Sequence, residues 1–258
     1  MFKLLTVVAH RGYSSEAPEN TIAAFDLALR YGYSDIEFDV QLSKDGVPMV
    51  LHDELLGRTT NGLGRLDGYT YAQLKQLDAG SWFNPKFGEQ RIPSLLELLA
   101  RYKSKARLHI ELKSTEFELA ERVVQALDVS GWLQADTLIE RVMSRQPKLV
   151  ISSFKRTQLE RSIKLLPNVA HELLVETITE ESMLWASRNG IRSYHPDGKD
   201  ITPEFVARAH ELNLHVGAWW WTRRDQDTQQ IATYGVRYAF VDEPKAHQRR
   251  LIKRPYSS

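Results

Sequence analysis

Two histidines near the start of the chain lie at the ends of predicted strands, where α/β proteins often have catalytic side chains. His10 directly follows the apolar run 4–9, and His52 directly follows a run that ends at Leu51. Imidazole titrates near neutral pH, so two imidazoles at neighbouring strand ends can act as a general acid and a general base. One histidine at a strand end is more often structural. A pair of them, with Arg11 adjacent, predicts proton transfer at a bound anion.

Carboxylates at alternating positions are the second chemical feature. Glu37 and Asp39 lie two residues apart and therefore share one face of a strand, and Glu111 and Lys113 repeat the spacing. A single pair of this kind is usually a polar face turned to water. Here the intervening residues are apolar and both strands are expected to be buried, so three carboxylates together require a cation. His109 has the parity of Glu111 but lies deeper, and we interpret it as a core or supporting residue.

The charges and ligand atoms of this group indicate the chemistry. Oxygen ligands without cysteine favour a hard divalent ion, Mg²⁺ or Ca²⁺, over zinc. Three carboxylates, one divalent cation, the side chains of Arg11 and Lys113, and a phosphodiester monoanion together carry no net charge. This balance leads to the hypothesis of phosphodiester chemistry.

Composition places the chain among ordinary folded proteins. Of its 258 residues, 42% are hydrophobic and 26% are charged, and α/β barrels of this length form single domains. We therefore predict one domain over residues 1–258. The 34 basic and 33 acidic residues leave a net charge of +1 without a long run of either sign, which argues against a nucleic-acid or anionic-membrane surface. The basic positions 249, 250, 253 and 254 are predicted to be a solvated terminus.

The sequence contains neither cysteine nor a membrane signal. Without cysteine there is no disulfide, thiolate metal site or thiol nucleophile, which fits a reducing compartment. The run 4–9 is too short for a signal peptide or a spanning helix, and no later run is long enough. We predict a cytoplasmic location, no membrane span, and a small-molecule partner.

Apolar runs alternate with helical periodicity along most of the chain, which implies βαβ units and a parallel sheet. The first helix is predicted to begin at Asn20, which can cap it, and to end at Gly32. The predicted strands are 4–9, 36–42, 47–51, 108–113, 149–153, 172–175, 191–195, 215–221 and 238–242. The later predicted helices are 94–102, 117–127, 138–144, 157–166, 180–188, 203–212 and 226–234.

The number of strands favours a (β/α)₈ TIM-type barrel with one extra hairpin strand. Strand 47–51 is the surplus, because the short turn Lys44-Asp45-Gly46 makes it antiparallel to 36–42. A doubly wound open sheet is the alternative, weakened because the sequence has no G-x-G-x-x-G or G-K-[ST] turn. The glycine- and aromatic-rich segment 53–91 is predicted to be an insertion over the site rather than a separate domain.

The motifs along the chain resemble those of the glycerophosphodiester phosphodiesterase family. They occur in the family's order and extend over nearly the whole sequence, so the resemblance is specific. The matching stretches are Ala9-His10-Arg11-Gly12, Ala17-Pro18-Glu19-Asn20-Thr21, Glu37-Phe38-Asp39-Val40, Lys44-Asp45-Gly46, Val50-Leu51-His52-Asp53, Arg58-Thr59-Thr60, Ile92-Pro93-Ser94-Leu95, Glu111-Leu112-Lys113, Ser153-Phe154 and Val241-Asp242-Glu243-Pro244.

The resemblance implies a metal-dependent hydrolase that cleaves glycerophosphodiesters to glycerol 3-phosphate and an alcohol through a cyclic phosphate. It also implies a role for each residue reached above. His10 and His52 would be the acid–base pair, Glu37, Asp39 and Glu111 the metal ligands, and Arg11 and Lys113 the phosphate ligands. Which histidine acts first as the base stays open.

One stretch departs from the family pattern. The family usually has Trp-Thr-Val-Asn after the penultimate strand, whereas this chain has three tryptophans at 219–221 followed by Thr222. A gapless match makes Trp219 the tryptophan that lines the substrate pocket, although Trp221 with Thr222 also fits. We prefer Trp219. Because Trp219 and Trp221 share a parity that Trp220 lacks, at least one of the three is expected to be a packing residue.

Two other functions stay open at this point. The same chemistry on lysophospholipids would need an apolar channel for an acyl chain, which Trp82, Phe83 and Phe87 of the insertion could form. A non-catalytic barrel used for binding would be expected to lack some of the motif residues, and all seven polar residues are present.

Overall fold

Eight parallel strands form a closed barrel in the computed structural model, which describes residues 5–133, 148–220 and 228–244. Strands follow one another around the barrel in chain order, and β1 closes it by pairing with β2 at Ala9 and Ile36. This confirms the predicted (β/α)₈ barrel. The strands are β1 (Thr6–Ala9), β2 (Asp35–Leu42), β3 (Pro48–Val50), β4 (Arg107–Leu112), β5 (Leu149–Ser153), β6 (Ala170–Leu174), β7 (Ser193–His195), β8 (His215–Ala218) and β9 (Tyr238–Val241).

Strand β3 is the additional strand. It pairs antiparallel with β2, where Val40 faces Val50, and lies outside the eight-stranded ring. The turn that joins the two strands contains Gly46 at φ +75°, a conformation that glycine adopts without a steric penalty. The predicted hairpin is therefore confirmed.

Helices lie between successive barrel strands. They are α1 (Ile22–Arg30), α2 (Tyr71–Leu74), α3 (Leu95–Tyr102), α4 (Leu119–Val129), α5 (Arg156–Leu165), α6 (Glu180–Arg188), α7 (Pro203–Glu211) and α8 (Thr228–Tyr234). Ser94 and Glu97 form the expected capping box of α3. None of the helices within the described ranges has the length and apolar character that crossing a bilayer requires. The predicted helix 138–144, Trp221 and the basic positions after 248 lie outside the described residues.

The start of α1 differs from the prediction. Thr21, not Asn20, is the N-cap, and its Oγ1 accepts a hydrogen bond from the backbone N–H of Ala24. Asn20 has φ +57°, a left-handed conformation that asparagine tolerates better than most residues. Its side-chain amide instead donates to Oδ2 of Asp39 at 2.8 Å. The left-handed turn thus directs a polar side chain of the helix entry into the barrel mouth.

The apolar core lies between the outer face of the barrel and the helices. Phe38 and Val40 of β2 are fully buried there. The ring of Phe25 on α1 contacts those of Phe38 and Tyr102, with centroids 5.8 and 6.0 Å apart. Because side chains alternate along a strand, packing Phe38 and Val40 outward directs Glu37 and Asp39 into the barrel.

The middle of the barrel is unusually polar. His109, Glu172 and His195 are all fully buried, whereas branched apolar residues dominate most such barrels. Nδ1 of His109 and Nε2 of His195 lie 3.7 and 3.5 Å from Oε2 of Glu172. Burial opposes ionisation of Glu172, but the neighbouring histidines hold its pKa below the usual value. His109 is therefore a core residue, as the sequence indicated.

The segment 53–91 packs against the hairpin strand. It contains α2 and three short 3₁₀ turns. Leu56, Leu66 and Leu74 form a small apolar cluster with Met49 and Leu51. The insertion is thus anchored to the same strand that carries His52 at its end.

Candidate active site

A cavity of about 240 Å³ opens at the carboxyl ends of the barrel strands, where barrel enzymes place their active sites. Seven of the eight side chains predicted from the sequence line it, and the eighth, Asp39, is buried beside Glu37 and Glu111. The lining residues are His10, Arg11, Glu37, His52, Glu111, Lys113, Ser152, Phe154, Leu174, Trp219, Trp220 and Phe240.

Three carboxylates form the floor of one side of the cavity. Glu37 and Asp39 on β2 and Glu111 on β4 are 4%, 1% and 6% exposed, and Asp39 lies directly opposite Glu111 in the sheet. One oxygen from each lies within 4.8 Å of the other two. Oδ1 of Asp39 accepts no hydrogen bond from the described residues. A buried all-oxygen donor set of this kind fits a hard divalent cation.

Mutual repulsion in this cluster affects the pKa of Glu37. Burial and the charge of Asp39 raise the pKa of Glu37 to about 7. Burial acts to raise the pKa of Asp39. The positive charges of His52, Arg11 and Lys113 outweigh burial and hold this pKa well below the usual value. Without a cation, the cluster therefore retains a proton near neutral pH that a bound ion would displace.

His10 is oriented by a carboxylate from the last barrel strand. Its Nδ1 lies 2.8 Å from Oδ1 of Asp242, which also accepts a hydrogen bond from Ser14 at 2.9 Å. Nε2 of His10 is left facing the carboxylates, 3.9 Å from Oε2 of Glu37. Burial and Arg11 act to lower the pKa of His10, but the bond to Asp242 and the charges of Asp242 and Glu37 raise it.

His52 has its own carboxylate partner. Its Nδ1 lies 2.6 Å from Oδ1 of the adjacent Asp53. The amide of Gln41 holds the backbone here, because its Nε2 donates to the carbonyl oxygens of Leu51, His52 and Asp53 at 2.8, 3.1 and 2.9 Å. Each histidine thus has one nitrogen engaged by a carboxylate and one available for proton transfer.

Both the backbone and the side chain of Arg11 form contacts with carboxylates. Its φ is +54°, and this left-handed turn directs its N–H toward Oε2 of Glu37 at 3.0 Å. Its Nη1 donates to Oε1 of Glu19 at 2.8 Å, and its Nε lies 3.3 Å from Oδ2 of Asp39. The guanidinium is partly buried beside carboxylates and lines the cavity, which suits it to binding an anion.

Lys113 supplies the second cation. Its Nζ lies 3.0 Å from Oε1 of Glu111 and 3.6 Å from Oδ1 of Asp39. The same ammonium lies 5.4 Å from the ring centroid of Phe154, within the range of a cation–π contact. Lys113 therefore stands between the carboxylates and the apolar wall of the cavity.

Aromatic and aliphatic side chains form the opposite wall. The ring of Trp219 meets that of Phe154 edge to face at 5.4 Å, and its Nε1 donates to the carbonyl oxygen of His195 at 2.9 Å. Trp220 lines the cavity as well, although strand parity predicted the opposite face. Trp220 follows the end of β8 at Ala218 and also packs against the buried apolar cluster that includes Phe205 and Val216, so it is a packing residue, as expected of at least one of the three tryptophans. Trp219 lies where the sequence predicted.

Three supporting residues were missed by the sequence reasoning. Gln41 continues the alternation of Glu37 and Asp39 by two residues, and this periodicity could have identified it. Asp242 was seen only as part of a motif, although it follows the last strand as His10 follows the first. Asn20 was interpreted as a helix cap.

The sequence of the chain matches a known protein family. Residues 10–246 match the model of the glycerophosphoryl diester phosphodiesterase family. The chain belongs to this family. It is accordingly an enzyme, a phosphoric diester hydrolase.

Relatives resemble the chain over almost its full length. A glycerophosphodiester phosphodiesterase of Bacillus subtilis is 34% identical over 94% of this chain and 84% of its own, and one of Caldanaerobacter subterraneus is 34% identical over 93% and 94%. Among solved structures, a phosphodiesterase of Oleispira antarctica in complex with the product sn-glycerol-3-phosphate superposes with a TM-score of 0.84 at 30% identity. That match covers 97% of this chain and 98% of the other.

Proposed function

We propose that the chain hydrolyses glycerophosphodiesters to glycerol 3-phosphate and an alcohol, using one divalent cation, Mg²⁺ or Ca²⁺. One observation carries the proposal: two histidines, each oriented by a carboxylate, share a cavity with a buried cluster of three carboxylates. The product reported in the Oleispira antarctica structure supports the substrate class.

Glu37, Asp39 and Glu111 would hold the cation. When bound, the ion would offset their charge, lower the pKa of a substrate hydroxyl and polarise a phosphate oxygen. Arg11 and Lys113 lie on either side of the cluster, within 3.3 and 3.0 Å of its members. Their positive charges would bind the phosphodiester and stabilise the charge that grows on the phosphoryl oxygens.

The two histidines would move the protons. Because Nδ1 of each ring is engaged by Asp242 or Asp53, the proton-transfer atoms are Nε2 of His10 and Nε2 of His52. One Nε2 takes the proton of the glycerol hydroxyl next to the phosphate as its oxygen attacks phosphorus, and the other gives a proton to the departing alkoxide. The product of this step is a cyclic phosphate and the free alcohol.

A second step with reversed roles completes the reaction. The histidine that gave up its proton now takes one from water, whose oxygen attacks phosphorus. The other histidine returns its proton to the glycerol oxygen that leaves the ring. Each histidine then has its original protonation state. The scheme is symmetric, so it does not depend on which histidine acts first as the base.

The position of three aromatic rings in the insertion favours small glycerophosphodiesters over lysophospholipids. The latter would need a channel formed by Trp82, Phe83 and Phe87. These rings contact one another at 5.7 and 5.8 Å, and none of them belongs to the cavity lining. They pack the insertion, so the structure offers no acyl channel along these residues.

A substrate panel tests the proposal. Metal-stripped protein is assayed on glycerophosphocholine and lysophosphatidylcholine with Mg²⁺ and Ca²⁺ added separately. We expect turnover of glycerophosphocholine only with a cation, release of glycerol 3-phosphate, and loss of most of this turnover in His10→Ala and His52→Ala. Full activity of either variant would refute the assigned roles, and preference for lysophosphatidylcholine would refute the substrate class.

The proposal also includes two expectations from the sequence. Residues 1–258 form one domain with the insertion 53–91, which the barrel from β1 to β9 supports. The cytoplasmic location is tested by cell fractionation with an antibody to the chain.

A further inference from the structure

A series of ion pairs connects Arg11 with His52, two residues that line the cavity. At its centre is Glu19, a 7% exposed residue of the loop after β1. Oε1 of Glu19 accepts from Nη1 of Arg11 at 2.8 Å and from Nη2 of Arg58 at 2.7 Å, and Oε2 accepts from Nη1 of Arg58 at 2.9 Å. Both carboxylate oxygens of Glu19 are therefore occupied by guanidinium groups.

The series continues from Arg58 to His52. Nε of Arg58 donates to Oδ2 of Asp53, and Nη2 donates to Oδ1 of Asp53 at 3.1 Å. The same Oδ1 lies 2.6 Å from Nδ1 of His52. A continuous series of contacts thus runs from Arg11 through Glu19, Arg58 and Asp53 to His52.

The contacts of Arg58 depend on the planar guanidinium group, which among the side chains only arginine has. Arg58 spans two carboxylates at once, with one edge of its planar guanidinium on Glu19 and another on Asp53. Lysine, a point charge with a flexible stem, cannot keep both bidentate contacts. Arg58 ends the 3₁₀ turn Leu56–Arg58 of the insertion, so the insertion contributes a side chain that orders the site itself.

We propose that Arg58 is a positioning residue for the reaction. By bridging Glu19 and Asp53 it fixes the orientation of the His52 imidazole relative to Arg11 and to the phosphate that Arg11 would bind. This inference rests on the proposed function. It assigns no role to Arg58 in binding the substrate, because its side chain is not part of the cavity lining.

A purely stabilising role is a poor explanation of this arrangement. The side chain of Arg58 is 44% exposed, and its buried partner Glu19 keeps its ion pair with Arg11 when Arg58 is removed, so the loss of stability is limited. Orientation is more sensitive, because a displacement of about 1 Å at a reacting group can lower a rate about 10²-fold. The effect of removing Arg58 should therefore appear in turnover rather than in folding.

Arg58→Met tests the proposal, with Arg65→Met as the matched control. Arg65 belongs to the same insertion, is 53% exposed and also bridges two carboxylates, Glu54 and Asp67, away from the cavity. With glycerophosphocholine and saturating cation, we expect Arg58→Met to lower kcat about 10- to 100-fold while Arg65→Met stays within about twofold of wild type. Arg58→Lys, which keeps the charge, should lose activity as well.

Two further measurements separate positioning from folding. In a His52→Ala background, Arg58→Met should cause no additional loss, since it acts through His52. Nitrogen NMR of His52, at a pH where its ring is neutral, should show a single tautomer protonated at Nδ1 in wild type and a mixture in Arg58→Met, with both proteins folded at the temperature of the measurement. If Arg58→Met matches Arg65→Met in kcat, or lowers the rate equally with and without His52, the proposal is wrong. Failure of the wild type to turn over glycerophosphocholine would instead refute the proposed function.

Discussion

Nδ1 of His10 lies 2.8 Å from Oδ1 of Asp242, although 232 residues separate the two in the sequence. Barrel closure explains the contact. Strands β1 and β9 are neighbours in the sheet, and the backbone N–H of His10 donates to the carbonyl oxygen of Val241 at 3.0 Å. The residue that follows the first strand and the residue that follows the last therefore meet at the same edge.

Replacing Asp242 by asparagine should impair turnover without impairing binding. The amide of asparagine can donate its N–H to an unprotonated Nδ1 as well as accept from a protonated one, so Nε2 of His10 is no longer reliably the free nitrogen. We expect kcat to fall about 10²-fold and KM to stay within about threefold, measured on glycerophosphocholine. Ser14→Ala, which removes the hydrogen bond from Ser14 to Asp242, is the control and should change kcat only slightly. A wild-type kcat for Asp242→Asn would contradict this role.

Neutralising Glu37 should stabilise the metal-stripped protein. Its pKa is raised to about 7 by burial and by Asp39, whereas the unfolded chain releases this proton near 4.5. Between these values the folded state binds more protons, so stability falls as pH rises and the full loss is present above pH 7. The shift corresponds to roughly 3 kcal/mol at most.

Glu37→Gln removes that loss, so at pH 8 its metal-free form should melt at a higher temperature than metal-free wild type. Added Mg²⁺ or Ca²⁺ should raise the Tm of wild type but not that of the variant. Calorimetry with and without chelator measures both effects. An equal cation-induced shift in the two proteins would exclude Glu37 as a ligand.

Gly12 should be intolerant of any side chain. It has φ +83°, and a Cβ there would lie 2.7 Å from the backbone carbonyl carbon of Ala24 in α1. Gly32 is a matched control, because it has φ +85° but an added Cβ would meet nothing within 4 Å. Gly32→Ala should lose only the left-handed penalty of about 1–2 kcal/mol, and Gly12→Ala should lose more. Urea denaturation compares the two, and equal losses would show that the close approach to α1 is unimportant.

His171 should make the fold sensitive to acid. Burial lowers its pKa to about 4, although hydrogen bonds with Val169 and Ser162 and the charge of Glu172 act in the other direction. The unfolded imidazole binds its proton near pH 6.5. The stabilisation by neutral His171 is therefore complete above 6.5 and is lost as pH falls toward 4, by about 1.4 kcal/mol per pH unit.

A glutamine at position 171 does not titrate and should flatten this part of the stability curve. Denaturant melts at pH 4.5, 5.5 and 6.5 measure the slope for wild type and His171→Gln. His210→Gln, which changes an exposed histidine of α7, should leave the slope unchanged. If His171→Gln keeps the wild-type slope, the imidazole is already protonated in the folded state.

Local signals were sufficient for most of the fold. Buried parallel strands appear as apolar runs, and caps such as Ser94 with Glu97 depend only on neighbours in sequence. Apart from α2, which was not predicted, the elements within the described residues were therefore predicted to within a few residues. The strand 191–195 was shorter than predicted, beginning at Ser193, because an apolar run does not reveal where sheet pairing starts. The nine-strand count and the short turn at Gly46 together identified the barrel and its extra strand.

The sequence by itself determined which side chains of the site share a strand face, since alternation in a strand places Glu37 with Asp39 and Glu111 with Lys113 whatever the exact packing. Only the tertiary structure decided how the histidines are oriented. The contacts of Asp242 with His10 and of Arg58 with Asp53 and Glu19 join segments far apart in the chain. Such contacts depend on barrel closure and on the path of the insertion, and neither leaves a periodic pattern that a sequence could display.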